Sequence, residues 1–175
     1  MRVISGKYRG KNLIGFDIDG TRPTMDRVKE SMFAMIQNKI NGSVVLDLFA
    51  GSGSLGIEAL SNGAKSIYLV DNNIELINII KKNTSGMDNV SIIKSDYRDA
   101  LNNFKDIKFD IIFLDPPYKL NLINDAIDKI IKYDLLSSDG IVVCEYENED
   151  INTSLDLLKF KSYGNKNIKI FKSVK

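Results

Sequence analysis

From Val44 onward the chain alternates short apolar runs with stretches of helical periodicity, and that alternation limits the fold more than any other feature. Val44 to Phe49, Ser66 to Val70, Val90 to Ile93, Asp110 to Leu114 and Ile141 to Tyr146 read as strands. Between them, Leu55, Ile57 and Leu60 suggest a helix ending near Gly63, and Ile74, Ile77 and Ile80 keep the three-to-four spacing of a second. Arg98 to Phe104 and Leu122 to Ile131 supply two more. Strands separated in this way must run parallel, because a parallel crossover takes a dozen or so residues, and a parallel sheet needs helices over both faces. The expectation is an α/β domain.

Both ends break the rhythm. After a short helical stretch predicted near Ile151 to Leu158, Lys159 to Tyr163 and Asn167 to Lys172 flank Gly164-Asn165-Lys166 and read as a hairpin. An antiparallel hairpin on a parallel five-stranded sheet departs from a plain dinucleotide-binding domain. Met1 to Leu13 reads as a small strand or hairpin with a Gly-rich turn. Thr24 to Ile40 reads as an amphipathic helix, begun by Pro23-Thr24, with Val28, Met32, Ile36 and Ile40 on one face. A single domain over residues 1–175 is expected, with an extension over 1–43 and a core over 44–175.

Composition narrows the chemistry. The 175 residues include no histidine and one cysteine, Cys144, which excludes a disulfide framework, a cysteine-rich zinc site and the Ser-His-Asp, Cys-His and HExxH chemistries. The N-terminal MRVISGKYRG has no apolar leader, and the lone thiol agrees with a cytoplasmic location. The net charge of +1 conceals a division: residues 1–40 carry 8 basic and 4 acidic residues, 41–155 carry 10 and 18, and 156–175 carry 6 and 1. Basic ends around an acidic middle suit one face kept for a polyanion, or simply two solvated termini.

Two motifs carry chemistry. In Asp47-Leu48-Phe49-Ala50-Gly51-Ser52-Gly53-Ser54-Leu55-Gly56, the glycines at a strand-to-helix turn allow positive φ and let a ligand approach the backbone. Gly51, Gly53 and Gly56 match GxGxxG, and Asp71 follows 20 residues after Gly51, where a carboxylate can accept from ribose hydroxyls. That pattern fits NAD as readily as S-adenosylmethionine. The second motif is Asp115-Pro116-Pro117-Tyr118, at the carboxyl end of the fourth strand, where open α/β sheets bind ligands. The prolines withhold N–H donors, so the Asp115 carboxylate and nearby carbonyls present acceptors, and Tyr118 adds a stacking face. Acceptors beside an aromatic ring are what an extruded base with an exocyclic amine requires.

The pair FAGSGSLG and DPPY resembles the S-adenosylmethionine-dependent amino-methyltransferases of nucleic acids. With RVISGKYRGK at Arg2–Lys11 and RPTMDRVKE at Arg22–Glu30, the whole chain resembles the RsmD family, the 16S rRNA guanine-N2 methyltransferases. The resemblance implies a class I S-adenosylmethionine-dependent methyltransferase fold, Rossmann-like, with strand order 3-2-1-4-5-7-6 and the C-terminal antiparallel hairpin as its last two strands. It implies S-adenosyl-L-methionine as cofactor and 16S rRNA as partner; expected beside these are no metal, a modest basic surface that suits action within an assembled or partly assembled 30S subunit, and a monomer. Asp47, Phe49, Ala50, Gly51, Ser52 and Gly53 would meet the methionine moiety and Asp71 the ribose. Asp96 would meet the adenine amine, with Asn72 and Tyr97 around the ring. Asp115, Pro116 and Tyr118 would be catalytic, and Arg22, Thr24, Arg27, Lys29 and Pro117 would border the substrate, placing the 1–43 extension on that side. As readings of the residues alone, Asp96 also suits an Asx-turn, and Arg27 and Lys29 suit surface pairs with Asp26 and Glu30. An adenine-N6 methyltransferase uses the same DPPY, and an NAD-dependent oxidoreductase shares the glycine turn.

Overall fold

The computed structural model describes residues 1–15 and 22–174. The chain runs α1 (Arg22–Ile40), β1 (Val44–Asp47), α2 (Ser54–Ser61), β2 (Ser66–Asp71), α3 (Ile74–Asn83), β3 (Val90–Lys94), α4 (Tyr97–Asn103), β4 (Phe109–Leu114), α5 (Ile123–Lys132), β5 (Leu136–Tyr146), β6 (Asp156–Tyr163) and β7 (Lys166–Lys172). The seven strands form one sheet of order β3-β2-β1-β4-β5-β7-β6. The first five are parallel, and β7 lies antiparallel between β5 and β6. The expected class and order are therefore present.

The apolar runs become the strands because each is covered on both faces. One layer, with α4 and α5, includes Leu46, Leu101, Phe109, Ile112 and Ile127; the other, with α1 to α3, includes Val45, Ile36, Ile67, Ile80, Ile111 and Phe113. The Val28, Met32, Ile36 and Ile40 stripe of α1 is buried as its spacing predicts. At Gly56 a Cβ would lie 2.2 Å from Leu69 Cδ2, so α2 sits against β2 at a distance only glycine permits.

The helical stretch expected near Ile151 to Leu158 is absent. Residues 151–155 are irregular, and β6 begins at Asp156. Thr153 Oγ1 accepts from the Leu155 N–H (3.1 Å), and the Asn152 N–H donates to Asn124 Oδ1 (2.9 Å). Such side-chain bonds compete with helix, and pairing with β7 takes the rest of the segment. β5 also starts five residues earlier than expected, its register with β4 shifting between Phe109 and Ile111.

The N-terminal segment is small, as expected, with one antiparallel bridge between Arg2 and Asn12. It docks on α2. Glu58 accepts from the N–H groups of Ile4 and Ser5, and the Lys7 N–H donates to the Ser61 carbonyl. The two basic ends meet: Ser31 on α1 hydrogen-bonds Tyr163 on β6, and Lys159 Nζ donates to the Met35 carbonyl at 2.6 Å. Among the described residues no helix is long and apolar enough to cross a membrane, and no acidic or thiol cluster is placed to hold a metal ion.

Candidate active site

The sheet order reverses between β1 and β4, and their carboxyl ends open a crevice there. β1 ends at Asp47, and the chain then turns through Gly51 (φ 57°) and Gly53 (φ 84°) into α2. Two contacts fix the turn: the Ala50 N–H donates to the Val70 carbonyl (2.8 Å), and the Gly51 N–H donates to Asp71 Oδ2 (3.0 Å). A Cβ on Gly51 would meet nothing within 4 Å, so its α-carbon borders open space. Gly53 instead faces Ile57, Leu69 and Ile80 in the core.

A cavity of about 720 Å³ lies beyond the turn, lined by Phe49, Gly51, Asp71, Asn72, Asp96, Tyr97, Asp115, Pro116, Pro117 and Tyr118, among others. Asp96 caps α4 by accepting from the Arg98 N–H (2.8 Å) and pairs with the Arg98 guanidinium at 3.4 Å. The Tyr97 ring packs 5.2 Å from Phe49, and its hydroxyl donates to Asp125 at 2.5 Å. Burial, and then that bond to Asp125, push the Tyr97 phenol pKa far up, so it stays neutral. A second chamber of about 250 Å³ shares Phe49, Gly51, Asp115 and Tyr118 with the first and adds Asp47, Ala50, Ser52, Glu145 and Lys166.

Charge here is concentrated and buried. Desolvation raises the Asp47 pKa to about 7, a bond from the Gly56 N–H (3.1 Å) opposing the rise and Asp71 adding to it. Asp47 Oδ1, fully enclosed, has no hydrogen-bond partner among the described residues. Asp115 opens in part to the cavity, yet desolvation, then the Glu145 and Asp47 carboxylates, push its pKa well above the usual carboxylate range against the pull of Lys166. The Tyr118 hydroxyl donates to Glu145 Oε1 at 3.0 Å, and Lys166 Nζ lies 3.5 Å from the same oxygen and 5.5 Å from the Tyr118 ring centre. Neither Glu145 nor Lys166 stands out in the sequence as a site residue. The available signal was an acid closing the apolar run Ile141–Tyr146 at the carboxyl end of a parallel strand.

The remaining expected residues divide. Lys29 borders the smaller chamber, but its ammonium points to Glu58 Oε2 (3.2 Å), the Arg2 carbonyl (2.7 Å) and Ser54 Oγ (3.0 Å). Arg27 is exposed and lines neither chamber. The side chains of Arg22 and Thr24 lie outside the described residues.

A glycine turn and an acid-lined crevice at the switch point of a sheet with β7 inserted antiparallel define the class I methyltransferase fold. A family described as conserved hypothetical protein 95 matches residues 1–172. The chain belongs to this family, which is the RsmD family. It is 37% identical over 181 residues to "Putative rRNA methyltransferase YlbH" of Bacillus subtilis, covering 98% of each chain. It is 36% identical over 154 residues to "Ribosomal RNA small subunit methyltransferase D" of Haemophilus influenzae, covering 85% of this chain and 80% of that one. Its backbone superposes on "Putative methyltransferase yhhF" of Escherichia coli with a TM-score of 0.86 at 28% identity, covering 98% and 97% of the two chains.

Proposed function

We propose that this protein transfers a methyl group from S-adenosyl-L-methionine to the exocyclic N2 amine of one guanine in 16S rRNA, as a cytoplasmic, monomeric RNA-binding enzyme of ribosome biogenesis acting on an assembled or partly assembled 30S subunit. The observation that carries this reading is that Asp115 and Tyr118 line both of two adjoining chambers, with Pro116 on the larger, so that one chamber suits the cofactor and the other a base.

The residues present fit the cofactor. Asp71 and Asp96 supply acceptors along the larger chamber, Asn72 and the Phe49–Tyr97 pair supply walls for a flat ring, and Asp47, whose Oδ1 has no partner among the described residues, lines the adjoining smaller chamber where the two meet at Phe49, Gly51 and Asp115. S-adenosylmethionine, when bound, supplies an electrophilic methyl on a positively charged sulfonium. An acid-lined crevice favours such a cation. The same carboxylates disfavour the pyrophosphate of NAD, and the Gly51 N–H that would meet it is already committed to Asp71.

The chain's own groups then act on the base. A guanine amine is a poor nucleophile because its lone pair is delocalised into the ring. Asp115 and the Pro116 carbonyl accept its hydrogens and stabilise the positive charge that develops on nitrogen. A carboxylate whose pKa burial has raised is also a stronger base for the proton the amine must lose. Tyr118, held by Glu145, offers its ring as the stacking face that orients the base.

The test is methylation of 16S rRNA and of 30S particles lacking the modification, with labelled cofactor and nucleoside analysis. N2-methylguanosine is the expected product; N6-methyladenosine would overturn the choice of base, and no transfer to either RNA would overturn the rRNA assignment. Asp115→Ala is expected to abolish transfer while cofactor binding stays nearly intact, and retained turnover would refute the role given to Asp115.

A further inference from the structure

The smaller chamber holds more than a stacking face. Its wall on the β5–β7 side carries a carboxylate and an ammonium that reach it from different strands, Glu145 near the end of β5 and Lys166 at the start of β7. Their side chains are 10% and 20% exposed, and their contact at 3.5 Å falls on Glu145 Oε1, the oxygen that also accepts from Tyr118. An ion pair this enclosed contributes little to stability for its desolvation cost, so its position against Asp115 needs a chemical reason.

The base supplies one. The Watson–Crick edge of guanine presents, in order, the N2 amine, the N1–H donor and the O6 acceptor; adenine presents an amine beside an unprotonated N1 acceptor. With the amine at Asp115, the rest of that edge faces a chamber that Glu145 and Lys166 also line. We propose that Glu145 accepts from the guanine N1–H and Lys166 donates to O6, so that this pair selects guanine over adenine at the site. The proposal rests on the methyltransferase reading above and adds the source of its base specificity. An adenine in the same pose turns its N1 lone pair toward the Glu145 carboxylate and offers Lys166 no carbonyl. The hairpin thus contributes to substrate selection: Lys166 adjoins its Gly164-Asn165 turn, and β7 is held beside β5 in a register that pairs Tyr146 with Asn167. Burial, and after it the Glu145 charge, raises the Asp115 pKa, so the recognition pair also bears on the catalytic group.

The experiment compares 16S rRNA carrying the methylated guanosine with the same RNA carrying 2-aminopurine at that position, built by splinted ligation. 2-Aminopurine keeps the reacting C2 amine and lacks both N1–H and O6. The wild-type protein is expected to prefer guanosine by at least about 100-fold in kcat/KM, two bonds at roughly tenfold each. Glu145→Gln, which keeps an acceptor for Tyr118, and Lys166→Met are each expected to lower kcat/KM on guanosine by about 10–100-fold. Each should also shrink the guanosine to 2-aminopurine ratio by tenfold or more, with the Kd for S-adenosylmethionine and the melting temperature close to wild type. A wild-type preference near unity, or variants that lose rate on both substrates equally, would overturn the proposal and leave the guanine methyltransferase reading standing. Wild-type protein that makes no N2-methylguanosine at all would overturn both.

Discussion

Lys29 Nζ lies 3.2 Å from Glu58 Oε2, with the two side chains 7% and 1% exposed, so that α1, α2 and the N-terminal segment are joined through one buried ion pair. Glu58 also accepts from the N–H groups of Ile4 and Ser5, and Lys29 donates to the Arg2 carbonyl. Desolvation lowers the Lys29 pKa, and the Glu58 charge opposes that fall. Removing either partner strands a buried charge, which costs about 3–5 kcal/mol. Glu58→Gln and Lys29→Met are each expected to destabilise by that amount in denaturant unfolding, and the double variant by less than the sum. Single losses below about 1 kcal/mol would show that the pair is dispensable to the docking of residues 1–15.

The inward turn of Lys29 was not read from the sequence, which put it at the substrate border or in a surface pair, although it lies beside the buried stripe. Positions 29, 33, 36 and 40 form a helical stripe, and Phe33, Ile36 and Ile40 are buried along it. Nor was its partner legible, because Glu58 is distant in sequence and joins Lys29 only after α2 packs beside α1. The five parallel strands were readable because apolar runs and helical spacing are local signals. Lys159 to Tyr163 of β6 read as a hairpin strand, but its start and the segment before it did not, since Leu157 and Leu158 fit a helix as well as a strand and pairing with β7 decides between them. Likewise Asp71, Asp96 and Asp115 announced themselves by following strands, whereas Asp47, inside the run Val44 to Phe49, was placed by family resemblance. Glu145 and Lys166 become a pair only through the antiparallel placement of β7, which came from family resemblance and not from spacing.

Asp71 braces the glycine turn and also lines the larger chamber. Its Oδ2 accepts from the Gly51 N–H at 3.0 Å and its Oδ1 from the Asn73 N–H at 2.9 Å, so the carboxylate holds the glycine turn while facing the larger chamber. Hydrogen bonds to a charged group are worth about 1.5–3 kcal/mol. Asp71→Ala is expected to weaken S-adenosylmethionine about 10–100-fold by calorimetry, with kcat at saturation changed no more than about threefold because the reacting groups are untouched. An unchanged Kd would remove Asp71 from the cofactor site.

Two glycines with positive φ separate a structural cost from a binding cost. Alanine at either position carries backbone strain of about 1–2 kcal/mol. At Gly51 the added Cβ meets no protein atom within 4 Å and enters the space beside the larger chamber; at Gly6 it would lie 2.0 Å from the Ser61 carbonyl oxygen. Gly51→Ala is expected to lower the melting temperature by only a few degrees, about 2–4 °C per kcal/mol in a chain of this size, while weakening S-adenosylmethionine at least tenfold. Gly6→Ala is expected to show the opposite pattern, a larger melting loss from undocking the N-terminal segment with cofactor affinity near wild type. If both variants lost only stability, the Gly51 space would not be part of the cofactor site.

The Asp47 carboxyl is expected to make cofactor binding and stability depend on pH in opposite directions. Its folded pKa is about 7 against an unfolded value near 3.8, so between those limits the folded state binds the extra proton. The stability held by the neutral form is complete below the unfolded pKa and is lost as pH rises through about 7, and the free protein is expected to unfold more easily at pH 8 than at pH 5 on this account. A cation placed against Asp47 Oδ1 favours the ionised form, so S-adenosylmethionine should bind more tightly as pH rises toward 7 and release a proton when it binds at pH 6. Calorimetry at pH 6 in two buffers of different ionisation enthalpy measures that proton directly. Asp47→Asn keeps an acceptor for the Gly56 N–H while removing the titration, and is expected to flatten both pH profiles. Binding without proton release in the wild-type protein would mean that Asp47 stays neutral in the complex, and its role would then be confined to holding α2 through Gly56.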